Sequence, residues 1–427
     1  MVVGVTLWLL AATVATLPLL IPRGFAQSAP VDAVALLYVL LALAGLAGFS
    51  RQRRAVHLPA KGPLLLILVA SLTATVFGLS VPDGMLSLLV EAYLVLLFVC
   101  VANDLGSDRR ALQIVLTTWT AAALIWAALF IAFHNQLLPD AMQRLLEENS
   151  KGRGYRVSGT TKNPNLAASY MMTSFFVLLS SPWPRRRATR AAAAGWLLAG
   201  VYVTGSNGAT LGLMTGTLVL GIATCLRAGR TPGQRLGVAG GAVLATILTL
   251  TVVLVTTGIP RMEVSGVKAL AEQEQGGTFG GSIGRLDRSV GGRLELWSAA
   301  WSAGPHLLTG VGPGAAPRIP LQTGSTLGRS LHNDYLAFLL ERGILGLLGL
   351  LCLCLVLLRW SGRLLGSPPR DTPGERLRPA GLGAAVAANL VLATNHESFH
   401  FRHVWILFGL VWASNQLLRR ELAHAGS

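Results

Sequence analysis

The chain carries a series of apolar runs, most of them long enough to cross a lipid bilayer. A backbone inside lipid has to satisfy its own hydrogen bonds, so each run predicts an α-helix. The runs lie near residues 3–21, 31–49, 63–80, 84–102, 111–133, 165–181, 191–204, 208–226, 237–257, 334–358, 380–394 and 403–418. The predicted fold class is all-α: a polytopic membrane protein with about 12 transmembrane helices and a large periplasmic loop containing amphipathic helices.

Composition supports a membrane environment. Of the 427 residues, 52% are hydrophobic and only 13% are charged, whereas a soluble domain carries roughly a quarter charged residues. The net charge of +16 comes mostly from arginines in short loops, which are expected to contact membrane lipids rather than nucleic acid. The first run lacks a basic segment before it, so we interpret it as a retained helix and not as a signal peptide.

The distribution of Arg and Lys predicts the orientation. Alternate short loops are rich in these residues, and the intervening short loops contain only Arg23 and Arg402. The positive-inside rule then places both termini in the cytoplasm, and we expect the protein in the inner membrane. The basic residues of the predicted cytoplasmic loops and tail are Arg51, Arg53, Arg54, Lys61, Arg109, Arg110, Arg185, Arg186, Arg187, Arg190, Arg227, Arg230, Arg235, Arg359, Arg363, Arg370, Arg376, Arg378, Arg419 and Arg420.

Two long predicted outer loops, 134–164 and 258–333, are also basic. The positive-inside rule does not explain these charges, because the loops are long and lie outside. One guanidinium group can bind two phosphate oxygens at once. A diphosphate or another anionic substrate is therefore favoured over contact with lipid headgroups. Residues 293–301 have apolar side chains at helical spacing and predict an amphipathic helix, whereas the composition of 272–284 predicts a mobile lid or substrate gate. The predicted divisions are 1–134 (the first five helices), 135–257 (a loop and four helices), 258–333 (the catalytic loop) and 334–427 (three helices and the tail).

Four segments on the predicted outer side carry polar residues with chemical potential. Residues 156–165 contain Arg156 and Lys162 and end in an Asn-Pro-Asn sequence that predicts a helix cap. Residues 292–314 combine Gly-Arg with a glycine-rich turn at 310–314, which predicts close approach to substrate or backbone. In the third segment, His332 precedes Asn333 and Asp334 at the mouth of a helix and can act as a general base. Glu341 and Arg342 follow it, and we expect them to pair or to line a cavity.

The fourth segment, 395–403, contains three histidines, a Glu and an Arg. No familiar zinc spacing is present and Arg402 would repel a cation, so a polar wall of the active-site cavity is favoured over a metal site. The four cysteines lie inside apolar runs and are interpreted as buried small residues, without a disulfide or metal role.

The motifs together resemble the bacterial O-antigen ligases and related O-antigen polymerases. The strongest match is His332-Asn333-Asp334-Tyr335-Leu336 followed by Glu341-Arg342-Gly343. The supporting motifs are Gly310–Gly314, Gly292-Arg293 with Trp297, Asn163-Pro164-Asn165, and Asn395 with Glu397-Ser398. The resemblance covers most of residues 150 to 420.

The resemblance implies a metal-independent glycosyltransferase without a cofactor, acting on the periplasmic face. Its donor would be a glycan on undecaprenyl diphosphate, and its acceptor lipid A–core or another glycan. By analogy, His332 would activate the acceptor hydroxyl and Arg293 would hold the departing diphosphate. The predicted substrate-binding residues are Arg156, Lys162, Asn207, Arg288, Asn333, Asp334, Tyr335, His396, Glu397 and Arg402.

One position departs from the family's pattern. Members often have Ser-Arg-Gly-Ala where this chain has Ser206-Asn207-Gly208-Ala209, and Asn207 carries no charge for a diphosphate. Polymerisation of repeat units remains an alternative to ligation. A lipid-linked oligosaccharide transporter is a further alternative, although no internal repeat is evident. A peptidoglycan-polymerising glycosyltransferase ranks lower because that group lacks the His332 motif.

Overall fold

The computed structural model describes residues 2–20, 29–46, 56–150, 157–161, 163–227, 293–302, 307–321, 326–367, 370–372 and 375–425. The predicted ninth helix at 237–257 and the predicted lid at 272–284 lie outside these residues. So do three predicted substrate-binding residues, Arg156, Lys162 and Arg288.

Helices account for almost all of the described secondary structure. They are α1 (Val2–Thr16), α2 (Pro30–Ala44), α3 (Lys61–Phe77), α4 (Val81–Leu105), α5 (Arg109–His134), α6 (Asp140–Ser150), α7 (Pro164–Ser180), α8 (Arg187–Thr204), α9 (Asn207–Arg227), α10 (293–302), α11 (Asp334–Gly366), α12 (Ala380–Leu392) and α13 (Arg402–Ala425). A short antiparallel hairpin, β1 (Arg370–Thr372) with β2 (Glu375–Leu377), follows α11. The predicted all-helical class is confirmed apart from this hairpin, and each predicted apolar run except the ninth coincides with a helix.

The helices are those of a membrane protein. Within the described residues, α4, α5, α9 and α11 are long and apolar enough to span a bilayer, and the shorter apolar helices are Gly4–Thr16, Pro30–Ala44, Lys61–Phe77 and Ala380–Leu392. The count of 12 spans and the sidedness remain predictions. The sequence did not predict α6, because it is polar and lies in a segment interpreted as a loop; its Leu146 is buried.

Helix α12 lies inside the helical assembly and is built largely from small residues. Its Ala384, Ala385 and Ala388 are fully buried. Neighbouring α9 approaches so closely that a Cβ added at Gly212 would lie 2.7 Å from the Ala388 carbonyl oxygen. Small side chains permit this approach between helices, as is common inside membranes. The tight packing fixes the end of α12, from which the 393–401 loop begins.

Helix α11 is broken near its first third. Gly343 has φ 69° and ψ −172°, which interrupts the helical hydrogen bonds. The amide of Ile344 donates instead to the Leu307 carbonyl at 2.8 Å. A Cβ added at Gly343 would lie 2.2 Å from the Leu308 carbonyl oxygen, so both the positive φ and the close backbone require glycine.

The glycine-rich turn at 310–314 satisfies the carbonyls that this break leaves free. The amide of Val311 donates to the Leu340 carbonyl and that of Gly312 to the Glu341 carbonyl, each at 2.9 Å. Breaks in membrane helices are tolerated when such groups find new partners. The turn therefore lies close to the backbone of α11, which is one of the two roles predicted for it.

Beside the break lies a buried cluster of charges. Arg342 is 1% exposed; its Nε donates to Glu91 Oε1 at 2.8 Å and its Nη1 donates to Glu341 Oε2 at 3.0 Å. Ser71 donates to Glu91 Oε2 at 2.6 Å, which joins α3 to the cluster. Buried charges require such pairing. The pairing predicted for Glu341 and Arg342 is confirmed.

The cysteine prediction needs one correction. Cys100, Cys225 and Cys354 are buried, but Cys352 is exposed on the surface of α11. Residues two apart point to different sides of a helix, so only one of this pair can face the core.

Candidate active site

His332 sits immediately before α11 in an unusual backbone conformation. Its φ is +53°, in the left-handed region that non-glycine residues seldom occupy. The next residue, Asn333, caps the helix by accepting a hydrogen bond from the Leu336 amide at 3.0 Å. The predicted substrate-binding role of Asn333 thus competes with a capping role for the same side-chain oxygen.

The 393–401 loop binds the start of α11 through hydrogen bonds with Asp334. The Asp334 carboxylate is fully buried and accepts hydrogen bonds from the Ser398 amide at 2.7 Å and the Ser398 hydroxyl at 2.9 Å. Its own amide donates to the Ala393 carbonyl at 2.9 Å. The buried carboxylate is therefore occupied in joining the two segments, which leaves no exposed surface for the substrate contact predicted from the sequence.

Glu397 and His396 bring the same loop against His332. The His332 amide donates to Glu397 Oε1 at 3.0 Å. The two imidazole rings stack, with centroids 5.8 Å apart and planes 18° apart, and His396 is almost fully buried. Burial raises the pKa of Glu397, and the nearby His400 opposes that shift. These contacts place His396 and Glu397 against His332, and a polar wall of the active-site cavity stays a prediction for this segment.

Arg293 reaches the site from α10. Its Nη1 donates to the Asn395 side-chain oxygen at 3.0 Å, a contact between residues 102 positions apart in the sequence. Trp297, one turn along α10, donates its indole N–H to the Leu331 carbonyl at 2.8 Å, next to His332. These two bonds tie the helix to both segments that form the site. The helix predicted at 293–301 is confirmed.

The electrostatics favour a neutral imidazole at His332. Burial lowers the pKa of its ring below the usual 6.5, and the positive charges of Arg293 and Arg329 lower it further. Burial also lowers the pKa of Arg293. A half-buried neutral histidine beside a guanidinium can accept a proton from one group while an anion is bound by the other.

The start of α9 adjoins this site. A Cβ added at Gly208 would lie 3.1 Å from the Cβ of Asn395, and the Ser206 hydroxyl donates to the Asn165 side-chain oxygen at 3.0 Å. Asn207, between these residues, is exposed. The turn that departs from the family pattern therefore lies near Asn395, the residue that Arg293 contacts.

Residues 192–351 match the family model for O-antigen ligase. This segment is similar to the O-antigen ligase domain. It contains Arg293, the glycine-rich turn and His332, and it confirms the resemblance predicted from the motifs. No curated protein matches the chain significantly. The domain supports a membrane enzyme of the ligase or polymerase type, which acts on a lipid-linked glycan and an acceptor.

Two residues predicted to bind substrate, Tyr335 inside the matched segment and Arg402 beyond it, hold helices together. The Tyr335 hydroxyl donates to the Leu390 carbonyl at 3.0 Å, joining α11 to α12. Both Nε and Nη2 of Arg402 donate to the Asp32 carboxylate, joining α13 to α2. A paired guanidinium has its charge largely neutralised, so Arg402 is a weaker candidate for binding a diphosphate than Arg293.

Two further residues belong to the site and were not predicted as site residues. Asn395 binds Arg293, and Arg329 contributes to the low pKa of His332. The signals were present: Asn395 opens the Asn-His-Glu-Ser motif, and Arg329 lies three residues before the candidate base. Among the described residues, no group of three or more His, Cys, Asp or Glu side chains is arranged to hold a metal ion.

Proposed function

We propose that this protein transfers a glycan from undecaprenyl diphosphate to an acceptor hydroxyl on the periplasmic face of the inner membrane, as an O-antigen ligase. The observation that carries the proposal is the convergence of His332 and Arg293 on the 393–401 loop, through Glu397 and Asn395 respectively. A base and a cation held by residues two positions apart in one loop suit a reaction in which a proton leaves one oxygen while negative charge accumulates on another.

In this reaction His332 is the general base. A nitrogen of its neutral ring accepts the proton of the acceptor hydroxyl, and the oxygen forms a bond to the anomeric carbon of the donor glycan. Simultaneously the bond between that carbon and the phosphate oxygen breaks. Its electron pair leaves with undecaprenyl diphosphate. The low pKa of His332 keeps the ring unprotonated at neutral pH, which is the form that the step requires.

Arg293 stabilises the leaving group. Its guanidinium has donors beyond the Nη1–H that bonds Asn395, and charge-assisted bonds to phosphate oxygens are among the strongest that side chains form. A fixed positive charge at the position where the leaving group becomes negative lowers the barrier. Arg156, Lys162 and Arg288 stay predicted contributors to the same binding.

Glu397 has a positioning role in this proposal, rather than the substrate-binding role predicted for it. Its carboxylate accepts the amide of His332 and so supports the left-handed backbone of that residue. Asp334 supports the same turn from the other side through Ser398. The two carboxylates therefore hold the backbone and the loop around His332 rather than its imidazole ring.

The test is an assay with purified protein and a lipid-linked glycan donor. His332→Ala should lower kcat by at least about 100-fold, the size typical of general-base removal. His57→Ala is the matched control, because His57 is exposed and contacts Trp412 on α13 rather than the site. Normal turnover by His332→Ala would remove this residue from the mechanism.

The acceptor distinguishes the related activities. With lipid A–core as acceptor, a ligase forms a glycan–lipid A product; with a second lipid-linked repeat unit, a polymerase forms longer chains on the lipid. Accumulation of donor inside sealed vesicles without any new glycosidic bond would instead identify a transporter.

A further inference from the structure

A shallow cavity of about 690 Å³, largely open to the surface, lies where the connection between α7 and α8 meets α5. Its lining residues are Leu124, Trp183, Pro184, Arg185, Arg186, Thr189, Ala192, Ala193 and Trp196. The volume falls within the range of about 300–1,000 Å³ typical of small-molecule sites. The composition divides it into an apolar wall and a basic end.

The apolar wall contains two exposed indoles. Trp183 and Trp196 are 41% and 42% exposed, and the Trp196 N–H donates to the Leu124 carbonyl at 3.2 Å, which fixes the ring against α5. Tryptophan with a polar edge and an apolar face is enriched where lipid headgroups meet acyl chains.

The basic end carries two guanidinium groups without an ion-pair partner among the described residues. Arg185 and Arg186 are exposed, and no ion pair between described residues involves either of them. Helix α8 begins beside them without a side-chain cap or an acidic residue in its first turn. The positive end of the helix dipole therefore adds to the charge of the two guanidinium groups.

A third arginine, Arg190, is not a lining residue and binds the backbone of the connection between α7 and α8. The guanidinium of Arg190 donates to the carbonyls of Ser181 at 2.8 Å, Pro184 at 2.9 Å and Leu178 at 3.0 Å. These bonds fix the connection in which Arg185 and Arg186 lie. Arg190 therefore has a structural role, whereas the guanidinium groups of Arg185 and Arg186 are exposed and can bind an anion.

The cavity and the candidate active site lie at different ends of α8. Helix α8 ends at Thr204, next to the Ser206–Gly208 turn that adjoins Asn395. The 18 residues of α8 rise by about 27 Å, close to the roughly 30 Å hydrocarbon thickness of a bilayer. The site and the cavity therefore lie at opposite ends of α8.

The length of α8 that borders the cavity matches the thickness of one leaflet. From the start of α8 at Arg187 to Trp196 the helix rises by about 13 Å, close to half of the hydrocarbon thickness. We propose that this cavity binds one anionic phospholipid of the leaflet opposite the candidate site. Its phosphate would lie between Arg185 and Arg186, and an acyl chain would lie along Trp196 and Leu124.

The experiment uses the full-length protein in detergent, titrated with phosphatidylglycerol or with phosphatidylcholine of identical acyl chains and examined by native mass spectrometry. The wild type should bind phosphatidylglycerol more tightly. The double variant Arg185→Gln/Arg186→Gln should weaken this binding roughly 30-fold, at about 1 kcal/mol for each arginine. The control Arg187→Gln, exposed but outside the lining, should change it less than about threefold.

Two further measurements test the acyl part of the site. Trp196→Ala should weaken binding of both lipids, and the free headgroup glycerophosphoglycerol should not compete. Equal affinity of the wild type for the two lipids, an equal loss in Arg187→Gln, or full competition by the free headgroup would each overturn the proposal.

Discussion

The hydrogen bond from His332 to Glu397 can be tested by a pair of substitutions. Glu397→Ala removes the acceptor of the His332 amide, whereas Glu397→Gln retains a side-chain oxygen at the same distance along the chain. If Glu397 acts by supporting the backbone of the base, the first variant should lose activity and the second should keep most of it.

The magnitude follows from the backbone of His332. An L-residue in the left-handed region is destabilised by roughly 1–2 kcal/mol, and its φ of +53° places His332 there. The hydrogen bond to Glu397 can offset this strain, since such a bond contributes about 0.5–1.5 kcal/mol with a neutral acceptor and about 1.5–3 kcal/mol with a charged one. Without the bond, relaxation of the backbone by about 1–2 kcal/mol would reduce the correctly placed population about 5- to 30-fold. We expect kcat of Glu397→Ala to fall by that factor.

The assay is steady-state glycan transfer by purified variants whose thermal unfolding and elution volume match the wild type. Glu397→Gln should stay within about fivefold of wild-type kcat, because a neutral hydrogen bond still contributes about 1 kcal/mol. The acid limb of the pH profile should be retained in both variants, since His332 remains the titrating group. Unchanged kcat in Glu397→Ala, or an equal loss in both variants, would refute the positioning role.

Three further outcomes are expected. Activity should persist below pH 6.5, because the lowered pKa of His332 keeps the ring neutral there. Arg329→Gln removes a charge that lowers this pKa, so the acid limb of kcat/KM should move to higher pH. An unmoved limb would contradict this. Arg293→Gln should lower kcat on the order of 100-fold in the transfer assay, as loss of a group that stabilises developing charge does, and an effect on the acceptor KM alone would argue against diphosphate contact. In a cysteine-free background, Thr394→Cys should react with a membrane-impermeant maleimide from the periplasm and Arg187→Cys only from the cytoplasm; labelling of both from one side would contradict the predicted topology.

The helices were predictable because apolar length is a local property of the sequence. The run at 111–133 and α5 (Arg109–His134) differ by only one or two residues at each end. Caps were also predictable: Asn163 accepts a hydrogen bond from the Asn165 amide, as the Asn-Pro-Asn sequence indicates. In contrast, α6 has the polar composition of a surface helix, and hydropathy alone does not distinguish it from a loop.

The candidate site was predictable in its residues more than in their roles. Sequence motifs selected His332 and Glu397, but they are 65 positions apart and only the fold shows that one donates its amide to the other. The same holds for Arg402, whose pairing with Asp32 across 370 positions no local pattern reveals. A sequence shows which residues are capable of acid–base chemistry or anion binding. Which partner each of them binds depends on tertiary contacts.

The interruption of α11 at Gly343 limits how this protein can be engineered. The amides of Val311 and Gly312 serve as partners for carbonyls of a helix that follows them by about thirty residues. An isolated fragment containing only the segment before α11 would lose those acceptors, and a chimaera that exchanged this segment alone would leave carbonyl groups unpaired in apolar surroundings, at several kcal/mol each. Exchange between relatives should therefore carry residues 307–314 and 340–344 as one inseparable unit.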